Sequence, residues 1–122
     1  MGTCQSFFVN QSETRVLVHV TYSGGGNSCF DRRIIVPGGF DCDEYLLAAW
    51  MLNVTIWAIG TDSVKSYPHK PRIDFQLAPK WSCIIREGIA GKLEIWKVPS
   101  PKEYMSNCKG VRWAEGVKIG EV

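Results

Sequence analysis

The sequence predicts an all-β, mainly antiparallel fold, and three observations carry that prediction. Apolar and polar residues alternate with a period of two over residues 15–22 and 52–59, the mark of half-buried strands rather than helices. Turn signals built from Gly, Pro, Asn and Asp punctuate the chain about every ten residues, the spacing of an all-β domain. The 122 residues are 45% hydrophobic and 21% charged, near the globular average and long enough to bury a core of their own. Six to eight short strands in a single domain over residues 1–122 point to a β-sandwich of immunoglobulin-like or jelly-roll type.

The elements follow in order. Phe7, Phe8 and Val9 read as a short first strand, broken by the polar residues 10–13. In the second strand, residues 15–22, Val16, Val18, Val20 and Tyr22 share the expected core face, with Arg15, Leu17, His19 and Thr21 opposite. Residues 24–28, Gly-Gly-Gly-Asn-Ser, are expected to form a loop, since a glycine run has much backbone entropy to lose in a strand. Residues 29–36 are the partner strand, closed by Pro37, Gly38 and Gly39.

Asp41 and Glu44 have the spacing of a capping box, with Asp41 accepting from free backbone amides and Glu44 reaching back. A short helix is therefore expected near 41–51, although a strand carrying Leu46, Ala48, Trp50 and Leu52 on one face fits the same residues. From Leu52 the strand signal returns: Leu52, Val54, Ile56 and Ala58 alternate with Asn53, Thr55, Trp57 and Ile59. Residues 63–71 form a long loop kept extended by Pro68 and Pro71. Strands resume at 72–77, 81–86 and 92–98, the last two joined by a five-residue loop suited to a hairpin, and residues 111–122 supply a closing strand.

Charge and cysteine content narrow the function. Fourteen Lys and Arg against twelve Asp and Glu leave a net charge of +2, too little for the basic field that nucleic-acid binding needs. The longest apolar run, residues 45–52, is far short of a bilayer span. The N-terminus has neither the basic start nor the apolar stretch of a secretory signal, so the expected compartment is the cytoplasm, or the exterior if a signal peptide has been removed. Five irregularly spaced cysteines are not a disulfide framework. Two glycosylation tripeptides, Asn10-Gln11-Ser12 and Asn53-Val54-Thr55, point the other way and matter only in secreted chains.

The opening MGTCQS matches the N-myristoylation pattern at Gly2, and Cys4 stands where a second acyl chain could attach. This makes a membrane surface a candidate partner, without polybasic support, since no Lys or Arg precedes Arg15. Trp57 lies on the Asn53 and Thr55 face of its strand, where alternation aims it at solvent or a partner. An indole beside those polar groups can stack on a sugar ring or anchor a protein. With Tyr67 and His69 from the long loop, Trp57 and Thr55 make up the expected ligand site. Asp41, Asp43 and Glu44 lack EF-hand spacing, and no cysteine pair has zinc spacing, so neither a metal nor a cofactor is implied. His19 reads as a structural histidine among valines, and no nucleophile motif joins His69 to Cys29, Cys42 or Cys83.

The reading that results is a non-enzymatic module recognising a protein or a glycan. The alternatives are a peripheral membrane domain acylated at Gly2 and Cys4, and a small cysteine-dependent enzyme. Exposed sheet edges also allow a homodimer.

Overall fold

The computed structural model describes residues 3–24, 27–46, 51–61, 68–78, 80–100 and 116–122. Among the described residues, nine strands run in the order β1 Thr3–Asn10, β2 Val16–Gly24, β3 Asn27–Ile35, β4 Phe40–Leu46, β5 Leu52–Ala58, β6 Arg72–Leu77, β7 Trp81–Glu87, β8 Leu93–Pro99 and β9 Val117–Glu121. They form a five-stranded sheet, β4-β1-β7-β8-β9, and a four-stranded sheet, β3-β2-β5-β6. Every neighbouring pair is antiparallel except β1 and β7, which run parallel from Phe8 opposite Cys83 to Asn10 opposite Ile85. The result is the all-β sandwich that the alternation predicts.

The two sheets bury one shared core. Val16, Val18 and Val20 of β2 meet Val54 and Ile56 of β5 and Leu77 of β6 on one side, and Phe8, Cys83, Ile85, Leu93 and Ile95 come from the other. At one margin Arg33 lies on the inner face, in register with Val18, and Asp41 does so on the facing sheet, in register with Phe8. Their side chains meet at 3.0 Å, Nη1 to Oδ2, a half-exposed clasp between β3 and β4. At the other margin β9 comes close to β6, so that a Cβ on Gly120 would stand 2.7 Å from Ile73 Cδ1 at the tip of that side chain.

The helix expected near 41–51 is absent where the chain is described: residues 40–46 are β4, and 47–50 lie outside the described residues. The capping-box reading fails because β4 pairs with β1 from Thr3 opposite Leu46 to Val9 opposite Phe40. That ladder satisfies the backbone groups a helix start would have left to side chains. Asp41 instead serves the ion pair with Arg33, and its Oδ1 accepts from the Cys42 amide at 2.8 Å. The glycine-rich loop is also shorter than expected, since Gly24 pairs with Asn27 and Ser23 with Ser28.

Asn10, at the end of β1, fastens three segments and is fully buried. Its Nδ2 donates to the Thr14 and Ile35 carbonyls at 2.8 and 3.0 Å, while its Oδ1 accepts from the Ser12 amide and the Ser12 hydroxyl at 3.0 and 2.6 Å. Its backbone joins the same hub, donating to Gly39 O and accepting from Gly38 N. A buried amide whose donors and acceptors are all engaged fixes the β1–β2 turn against the β3–β4 turn.

Candidate binding face

The outward side of the four-stranded sheet is a small lattice whose rows follow from register. Strand pairing aligns Leu17, Trp57 and Arg72 in one row, His19, Thr55 and Asp74 in the next, and Thr21, Asn53 and Gln76 in the third. Side chains directly opposite on one face of a sheet are near neighbours, so each row is a chemical unit.

The first row is closed at its centre, where Leu17 and Trp57 are buried, while Arg72 at one end and Ile34, which pairs with Leu17, at the other are exposed. Leu17, Trp57 and Ile59 form a buried cluster separate from the main core. Ile59 is seated there by its own amide and that of Gly60, which both donate to Arg15 O, while Arg15 Nε returns a bond to Gly60 O at 2.8 Å. Trp57 is only 5% exposed, which corrects the expectation that it leans into solvent. Alternation places the indole on the predicted face, but that face is covered at this row. The Trp57 ring instead lies nearly parallel to the His19 imidazole, with an interplanar angle of 12° and centroids 6.2 Å apart.

The second and third rows are polar and open. His19, Thr21, Asn53, Thr55, Asp74 and Gln76 surround a depression of about 310 Å³, at the small end for a ligand site. Its floor is the chain at Val54 and Phe75, which belong to the core side. Thr55 Oγ1 donates to Asp74 Oδ1 at 2.6 Å, and Gln76 Nε2 donates to Asn53 Oδ1 at 3.2 Å. Asp74 also meets Arg72 Nε at 3.5 Å. Burial, and after it the charge of Arg32 on the adjacent strand, hold the His19 pKa below its ordinary 6.5, so the imidazole is neutral at pH 7. Asp74 is then the one lining side chain with a full charge, and Arg72 opposes it.

Of the predicted site residues, Thr55 lines the depression and Trp57 sits beside it, behind His19. His69 is exposed in the segment leading into β6 and does not line it, and Tyr67 lies outside the described residues. Gly2 also lies outside them, while Cys4 is a ladder residue of β1 opposite Tyr45. Cys83 is not a candidate nucleophile: it is fully buried in the core, where the loss of solvent drives its thiol pKa far up. Cys42 is half-buried on the other sheet, against Phe7 and Val9.

The site expected from the sequence did not include His19, Thr21, Asn53, Asp74 and Gln76, which line the depression. The signal was present in the polar members of two alternating strands, Thr21 opposite the valines of β2, and Arg72, Asp74 and Gln76 opposite Ile73, Phe75 and Leu77 in β6. Comparison with protein-family models, curated proteins and solved structures gives no match to this chain. The fold and this face therefore define the class on their own: a β-sandwich that, among the described residues, carries an open polar window on its four-stranded sheet.

Proposed function

We propose that the chain is a non-enzymatic recognition module that binds a hydroxyl-rich ligand, a short glycan, on the outer face of the four-stranded sheet. One observation carries the reading: six polar side chains from three strands converge on an open depression, and five of them are neutral at pH 7. Sugar hydroxyls both donate and accept, and Thr, Asn, Gln and neutral His do the same. The flat surface expected of an exposed indole passes to His19, whose ring is braced by Trp57. A strongly charged ligand is disfavoured, because the one lining carboxylate is already engaged by Thr55 and Arg72.

Amide NMR titration with cellobiose, maltose, lactose and N,N′-diacetylchitobiose tests this. The expected result is a group of shifting resonances at residues 19–21, 53–55 and 74–76 with at least one sugar, weakened in Thr55→Ala. Silence on this face with every sugar, or shifts confined to another surface, would overturn the glycan reading in favour of a protein partner.

A further inference from the structure

The fold treats the two Asn-x-Ser/Thr tripeptides in opposite ways. Asn10 has no exposed surface, and its Nδ2 is committed to the carbonyls of Thr14 and Ile35. The hydroxyl of the same tripeptide, on Ser12, is turned back onto Asn10 Oδ1. Asn53 is exposed at the second position of β5, and it is its carbonyl oxygen, not its amide nitrogen, that takes the bond from Gln76. Thr55 follows two residues later, so the strand carries both side chains on the same outward face.

We infer that Asn53, and not Asn10, is the residue that carries an N-linked oligosaccharide in folded protein made in a glycosylating compartment. The donor is a polyprenyl-pyrophosphate-linked oligosaccharide. Asn53 Nδ2 attacks its anomeric carbon, the new N–C bond forms as the C–O bond to pyrophosphate breaks, and the pyrophosphate leaves with the electron pair. The amide proton displaced from Nδ2 passes to a base of the transferase. Transfer occurs on unfolded chain, so folding sorts the products. A sugar on Asn10 would replace an amide hydrogen needed at a site with no space around it, and such chains cannot complete the hub between the β1–β2 and β3–β4 turns. A sugar on Asn53 leaves directly into solvent.

One consequence rests on the proposed function: a glycan at Asn53 stands over the depression and excludes an outside sugar from it. The test is expression of the full chain behind a cleavable secretion signal in cultured mammalian cells. Folded protein from the medium is analysed by intact mass and peptide mapping, before and after peptide N-glycosidase, which leaves Asp in place of a glycosylated Asn. The expected result is a glycan mapped to Asn53, retained in Thr55→Ser and lost in Asn53→Gln. A glycan on Asn10 of the folded protein, or an unmodified Asn53, overturns the inference. Mapping on the unaltered chain keeps the test decisive if a variant is not secreted. Sugar titration of unglycosylated protein reads the proposed function separately, so either idea can fail while the other stands.

Discussion

Replacing Trp57 by alanine separates a packed indole from an exposed one. A buried aromatic removes about 150–250 Å² from water, and Trp57 retains only 5% of its exposure. At about 25 cal/mol per Å² the transfer contribution is about 4–6 kcal/mol. Compactness of the unfolded chain lowers this by roughly 10–40%, while the cavity left between Leu17 and Ile59 adds to it. The expected loss is about 3–5 kcal/mol, a large part of the roughly 5–15 kcal/mol that holds a domain folded. Urea unfolding, with midpoint and slope fitted together, gives the value. Thr55→Ala, two residues away on the same face, is the control. It removes one hydrogen bond to exposed Asp74 and should cost about 1 kcal/mol or less. A Trp57→Ala cost below about 1 kcal/mol would refute the buried cluster and return the indole to solvent.

Two further outcomes follow from the same contacts. Asn10→Ala leaves the Ile35 carbonyl and the Ser12 amide without their side-chain partner, while the Thr14 carbonyl keeps the Ser12 hydroxyl. At about 1–3 kcal/mol for each buried group left unsatisfied, denaturation should report a loss of about 2 kcal/mol or more, and a loss under 1 kcal/mol would remove the hub from the account. His19 has a folded-state pKa below its ordinary 6.5, so the unfolded chain binds more protons as pH falls through that value. The stability contributed by neutral His19 is therefore complete above about pH 6.5 and declines below it. Stability measured from pH 8 to pH 5 should fall less steeply in His19→Gln than in the unaltered chain, and an unchanged slope would contradict the shift.

How much of this was legible in the sequence depended on whether the deciding contacts were local. Alternation marked β6 at Arg72–Leu77 with the observed bounds and placed Val16, Val18 and Val20 on the core side of β2. It understated β1, read as Phe7, Phe8 and Val9, because Thr3 to Ser6 are polar and owe their strand conformation to pairing with β4. It misread residues 41–46, where the capping-box spacing of Asp41 and Glu44 is local information and the ladder with β1 is not. The site divided in the same way. The outward position of Thr55 was legible because its own strand names its face, whereas Asp74 and Gln76 join it only through the β5–β6 register, which no single strand encodes.

Alternation assigns a side to each residue but does not say what lies on that side. The four-stranded sheet buries Leu17 and Trp57 on its outward face, and the five-stranded sheet does the same with Phe7, Val9, Ile84 and Val98. With outward positions of both sheets given to packing, the polar depression of the four-stranded face occupies the rows of His19 and Thr21. A face kept only for solubility is best served by Lys and Glu, whose charges are costly to desolvate. The depression in these rows is lined instead by Thr21, Asn53, Thr55 and Gln76 around one neutral histidine and one aspartate paired with Arg72, with the exposed Arg32 of β3 in register with His19. Such groups lose little when water is replaced by another hydrogen-bonding partner, and Lys, Glu and Asp are the types depleted where surfaces bind. The composition of the window, more than its shape, supports assigning recognition to this face.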